Sequence, residues 1–199
     1  MKQFLAIVIV VAIFVVAASI WFRSPKSEEG GPVQKTLNRD VYDHFVLSPN
    51  APKRSGPAAI YPDLMRNPGA INPDINQDNI GDTICNPNWS TKSIRPPTSY
   101  TGKLKRQQIQ DSGLADTEPR DYEEDHIIPL ELGGHPSDPN NLWPEPYDPK
   151  PGARQKDRVE NQLHREVCVG DISLERAQSI IVQDWYACYV NIENRELCK

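Results

Sequence analysis

The sequence predicts an α+β fold: a small ββα unit with flanking helices, preceded by an N-terminal transmembrane or signal helix and a disordered linker. Three observations carry this reading. Two short strand-like segments, Tyr122 to Ile128 and Asn141 to Trp143, flank a loop marked by Gly133-Gly134 and prolines. A 3.6-residue apolar period comes after them, with Val159, Leu163 and Val167 recurring at i, i+4 and i+8. An uninterrupted apolar run from Phe4 to Phe22 stands apart from both at the start of the chain.

That run is long enough to cross a bilayer, at about 1.5 Å per residue against a core of about 30 Å. Its short basic start and the small residues Ala17, Ala18 and Ser19 also suit a cleavable secretory signal. Its length exceeds the usual apolar stretch of a signal, about 7–15 residues, which favours a retained anchor. Either form places the rest of the chain outside the cytoplasm, at the membrane or secreted. Residues 24–64, with SPKSEEGGP and SPNAPKRSGPAA, are rich in residues that resist helix and sheet and read as a flexible linker. The globular domain is expected over 65–199.

The four cysteines, Cys85, Cys168, Cys188 and Cys198, include no C-x-x-C pair, which argues against a thiolate zinc cluster or a thioredoxin-type site. An even number in an exported domain suggests two disulfides, with three possible connectivities; Cys85–Cys168 with Cys188–Cys198 is preferred.

Along the domain, a helix is expected from a cap at Thr98 or Ser99 to Gly113. It carries Lys103, Lys105 and Arg106, and with Lys92 and Arg95 upstream forms the densest basic cluster. Pro129 ends the first strand. A further helix spans Ala153 to Val169 with Gly170 beyond it, and a last one starts at the Ser173 cap and runs to Tyr189. Leu174, Ala177, Ile181, Trp185 and Cys188 form its apolar stripe.

Phosphodiester hydrolysis needs a base for the attacking water, a cation for developing charge, and groups that fix both. Asp125 and His126 are adjacent at the end of the first strand, so their side chains leave it in different directions. Histidine suits the base, and a carboxylate suits a hard divalent cation. The segments EDHIIPLELGG, NNLWPEP and KDRVEN, in that order, resemble the HNH, or ββα-metal, nuclease superfamily. The longer pattern from TICNPNW to KDRVENQLHREVC looks like a bacterial group of exported HNH-like proteins, over roughly residues 65–190.

The resemblance implies a metal-dependent endonuclease, and because no element reads as a groove-reading recognition helix, weak sequence preference is expected. Asp125 would be the first metal ligand, His126 the general base and Asn141 the residue that orients it. The helix ligand does not map cleanly. Helical geometry puts Asp157, Asn161 and His164 on one polar face, with Asp157 preferred, Asn161 second and His164 third. The ion is expected to be Mg2+, with Mn2+ or Zn2+ as alternatives. Arg154, Lys156, Lys103, Lys105 and Arg106 are the substrate-binding candidates, contacting phosphates of nucleic acid, DNA ahead of RNA. A membrane is engaged through the N-terminal helix, and no protein partner is evident.

The formal net charge of −5 runs against nucleic-acid binding, although a local basic surface suffices. Two rival readings stand beside the nuclease: an exported binding or structural protein that keeps the ββα fold without turnover, and a different metal-assisted hydrolase.

Overall fold

A computed structural model describes residues 54–57, 60–148 and 150–198. The apolar N-terminal run and most of the linker lie outside these residues. Among the described residues no helix is long and apolar enough to cross a membrane. All of them fall in one compact unit, Gln34–Lys199.

The architecture is mixed α+β, a two-stranded sheet with three helices. In chain order these are α1 (Thr98–Ser112), β1 (Tyr122–His126), β2 (Leu142–Pro146), α2 (Ala153–Val169) and α3 (Leu174–Glu193). α1 starts with Pro97 at the cap position, without a side-chain cap bond, so neither Thr98 nor Ser99 serves as the expected cap. Proline suits the extended backbone just before a helix, and Gly113 ends α1 at φ 69°. Lys105 fastens α1 to the hairpin by donating to Pro119 O at 2.8 Å and Tyr122 O at 2.9 Å. Gln108 adds a bond to Leu142 O at 2.7 Å.

β1 and β2 pair antiparallel, with Glu123 opposite Glu145, Asp125 opposite Trp143 and His126 opposite Leu142. β1 is shorter than the expected Tyr122–Ile128, and β2 is longer than Asn141–Trp143. β2 holds Pro144 and Pro146, which a two-stranded sheet accommodates because each strand has a free edge. Between the strands the loop is regular rather than open, with tight turns at Leu130–Leu132 and Pro139–Asn141. It is pinned by the upstream segment: Asn72 N donates to Gly133 O, His135 N to Ala70 O, and Ile71 bridges to Gly134. Gly134 is obligatory there, since a Cβ would stand 1.7 Å from Ile128 O.

α2 and α3 form an antiparallel pair behind the hairpin. The periodic residues do what their spacing predicts: Val159, Leu163 and Val167 are buried, as are Leu174, Ala177, Ile181, Trp185 and Cys188. α3 runs past the expected end at Tyr189 and is kinked at Asp184 (φ −158°, ψ 71°). The kink frees backbone groups on both sides, and both sets are capped. Arg54 donates to Gln183 O, Val182 O and Pro62 O, while Asp184 accepts from Ala187 N in the next turn and from Ser55 N. Tyr61 OH donates to the same carboxylate.

The packed body therefore extends upstream of the boundary expected at residue 65, since Ile60 and Tyr61 are core residues. Composition suggested linker because Pro, Ser and Gly dominate; the few residues that dock, Arg54, Ile60 and Tyr61, are widely spaced and non-periodic.

Disulfides join Cys85 to Cys168 and Cys188 to Cys198, with Cα–Cα distances of 5.4 and 4.7 Å. The first ties the turn-rich segment before α1 to the end of α2. Replacing both Cys85 and Cys168 by Ser should lower unfolding free energy by up to about 4 kcal/mol, because it restores a long open loop to the unfolded chain. Chemical denaturation of the oxidised parent and the double variant measures this.

Candidate functional site

Directly opposed residues on an antiparallel pair share a face. Glu123, Asp125, Trp143 and Glu145 therefore lie on one side of the hairpin, the side toward α2. One side chain of α2 reaches across to them. Lys156 Nζ lies 2.6 Å from Asp125 Oδ2, 2.5 Å from Glu160 Oε1, 2.9 Å from His126 O and 3.5 Å from Glu145 Oε2. Its side chain is 3% exposed, and that of Glu145 is fully buried.

One ammonium faces three carboxyl groups here, and burial decides which ionise. Burial opposes the charge on Asp125, but the Lys156 ammonium and a hydrogen bond from Glu145 outweigh it and hold the group at about 2. Burial pushes Glu145 well above the usual carboxylate range. It pushes Glu160 up to about 8, partly offset by Lys156. Burial also works against the charge on Lys156, but the three carboxyls overcome it and raise its proton affinity. At neutral pH the cluster holds one ammonium, one carboxylate and two carboxylic acids, and is close to neutral. Among the described residues no donor besides the ammonium faces the Glu145 oxygens. The charge of Asp125 beside it adds to burial in keeping Glu145 protonated, since two bare carboxylates repel in that setting.

His126 is 4% exposed at the end of β1. Its Nε2 lies 3.0 Å from Pro136 O, a carbonyl that can only accept, so Nε2 carries the proton and Nδ1 the lone pair. Among the described residues no hydrogen bond reaches Nδ1. Burial is the first cause that lowers the proton affinity of the ring, helped by the charges of Arg95 and Lys156 against the opposing Pro136 bond and Asp125. The imidazole is thus neutral, in one tautomer, next to Asp125.

Asn141 is fully buried. Oδ1 accepts from Ile128 N (2.9 Å) and Ala70 N (3.2 Å), and Nδ2 donates to Ile128 O and His135 O, both at 3.0 Å. Four bonds exhaust what an amide can make. Asn141 braces the loop that carries Pro136, so it touches His126 only through that loop, not by the direct contact expected for an orienting residue.

The expected helix ligands are not brought together around Asp125. Asp157 is exposed but close: after burial, the charge of Asp125 is the next cause raising its pKa. Asn161 is exposed and turns back to donate to Asp157 O. His164 points elsewhere, with Nε2 2.8 Å from Ile84 O and 3.4 Å from Cys168 Sγ. Together Cys85, His164 and Cys168 place ligand atoms within 4.8 Å of one another, a spacing able to hold a metal ion. The same two sulfurs form the disulfide, and a disulfide sulfur is not a thiolate, so this trio offers ligands only when reduced.

A divalent ion at Asp125 does not fit this arrangement. The carboxylate is already engaged by Lys156, and with that ammonium in place Asp125 belongs, among the described residues, to no trio of acidic, histidine or cysteine ligand atoms lying within 4.8 Å of one another.

Of the expected substrate-binding residues, Lys156 is buried and Lys105 is spent on backbone carbonyls, so neither is free for phosphate. Lys103, Arg106 and Arg154 are exposed, and Arg154 lies over the Tyr147 ring at 5.3 Å. Two clefts flank the hairpin without including Asp125 or His126. One, of about 540 Å³, is walled by Tyr61, Gln108, Tyr122 and Trp143. The other, of about 520 Å³, sets Arg120, Lys150 and Arg154 among three aspartates.

Sequence reasoning missed Glu145 and the role of Lys156. The signal was present: Lys156 and Glu160 stand at i and i+4, and strand alternation turns Glu145 to the same side as Trp143. No family model, no curated protein and no solved structure matches the chain.

Two measurements test the site's architecture. Asn141→Ala should cost about 3 kcal/mol or more, because it strips partners from four buried backbone groups at once. Equilibrium denaturation reads this loss. Glu160 holds its proton to about pH 8 when folded but releases it near its usual value when unfolded. Its contribution is therefore complete only below the usual carboxylate range, declines progressively as pH rises from there, and is gone above about 8. Melting temperature should fall between pH 5 and pH 9, and Glu160→Gln should flatten that decline.

Proposed function

We propose that this domain is an endonuclease of the HNH type that hydrolyses phosphodiester bonds with little sequence preference, outside the cytoplasm, His126 acting as the general base. The observation that carries this reading is the state of His126. The ring is neutral, its Nε2–H is fixed on Pro136 O, and its Nδ1 lone pair is left for a water. A ring held only for structure has no need of one unused basic nitrogen beside a carboxylate. The ββα order of elements and the loop-bracing asparagine agree with it.

Nδ1 accepts a proton as the water oxygen attacks phosphorus, and the bond to the leaving 3′ oxygen breaks, that oxygen taking a proton from solvent. Arg95, whose charge is felt by both His126 and Asp157, would hold the phosphate, together with Arg154 in the first turn of α2. Lys103 and Arg106 are exposed for backbone contacts. No step is routed through a divalent ion, Mg2+ or another, because its expected position at Asp125 is taken.

One observation favours a second reading, a binding protein without turnover: Lys156 already neutralises Asp125. Plasmid DNA and single-stranded RNA, incubated with the full chain in EDTA and with magnesium, manganese or zinc, separate the two. Cleavage should occur and fall at least about 100-fold in His126→Ala. The rate should rise as His126 loses its proton and level off by neutral pH, with a midpoint below about 6.5 because burial favours the neutral ring. A folded parent chain that cuts neither substrate under any condition returns the non-catalytic reading.

A further inference from the structure

We propose that Lys156 is the resident cation of the ββα corner: its ammonium stands where a hard divalent ion would sit, and the corner binds no metal while it is there. The inference rests on reading the corner as a nuclease centre only for its catalytic meaning. Whether the corner holds an ion is independent of that reading.

The oxygens around Nζ come from three elements that converge on one point. β1 supplies the Asp125 carboxylate and the His126 carbonyl, β2 the Glu145 carboxyl and α2 the Glu160 carboxyl. All-oxygen surroundings of mixed carboxyl and carbonyl character are what magnesium and calcium take, with calcium accepting contacts of about 2.3–2.6 Å. The two shortest ammonium contacts, 2.5 and 2.6 Å, are of that order. An ammonium has three N–H groups, and Asp125, Glu160 and the His126 carbonyl use all three. Glu145 at 3.5 Å is a fourth, looser oxygen.

Charge explains why one lysine suffices. A single positive charge leaves two of the three carboxyls protonated, which is the state burial imposes on Glu145 and Glu160. A divalent ion placed there would call for their ionisation. Removing the ammonium should therefore convert the same oxygens into a cation site that releases protons as it fills.

Isothermal titration with Mn2+ and Mg2+, with thermal melts, tests this on the full chain, kept oxidised so that Cys85 and Cys168 supply no thiolates. The parent chain should show no saturable ion binding that Asp125→Asn abolishes, and its melting temperature should not move with ion. Lys156→Ala should bind Mn2+ at least tenfold more tightly than the parent and gain melting temperature saturably. If that variant folds only with ion, the gain appears as ion-dependent refolding, which supports the proposal equally. Lys156→Met, which refills the space with an uncharged chain, should stay ion-blind. An Asp125-dependent ion site in the parent overturns the proposal, as does a folded Lys156→Ala that ignores every ion. Neither readout uses DNA cleavage. An inactive parent with the expected ion behaviour would remove the nuclease reading and leave the resident cation in place.

Discussion

The contact on which the rest of the structure depends is the buried Lys156 ammonium. It joins β1 to α2 through Asp125 and the His126 carbonyl, and it meets its own helix again at Glu160. Breaking such a buried pair by deleting one partner costs about 3–5 kcal/mol, since the other charge is then left without an answer. Ion pairs of this kind add less to stability than apolar packing would, but they demand one register. A slip of one residue in β1 would turn Asp125 away from α2 and present His126 to the ammonium instead. The pairing thus sets which of two adjacent side chains faces the helix, and leaves the imidazole at the strand end.

Much of the fold was legible in the sequence because its core obeys two simple periods. The α2 boundaries, the stripe on α3 and the order of strand, loop, strand and helix all come from spacing of apolar residues and from glycine and proline. The disulfide pairing preferred among three connectivities is the one formed. The extent of β2 was not legible, since Pro144 and Pro146 are poor strand residues and only the free edge of a two-stranded sheet lets them remain. Nor was the docking of Arg54, Ile60 and Tyr61, which depends on a kink in a helix more than 120 residues later.

The candidate site was legible in its members and less so in their roles. Asp125 and His126 end β1 and Asn141 directly precedes β2. Sequence spacing treats Lys156 as a solvent-facing cation near the start of a helix, because nothing local says that two carboxyls from the hairpin will enclose it. His164 shows the converse: helical phase alone sets it beside Asp157 and Asn161, while the disulfide at Cys168 and the carbonyl of Ile84 claim it.

The kink in α3 has a consequence for where this domain can be cut. Arg54 caps the carbonyls on one side of Asp184 and Tyr61 holds the Asp184 carboxylate that caps the other, so the described residues before Leu64 work as a clasp on α3 at its kink. A fragment trimmed to start at Met65 would expose Trp185, which packs on Tyr61, and leave the carbonyls of Val182 and Gln183 facing water. A fragment that keeps these contacts begins no later than Arg54.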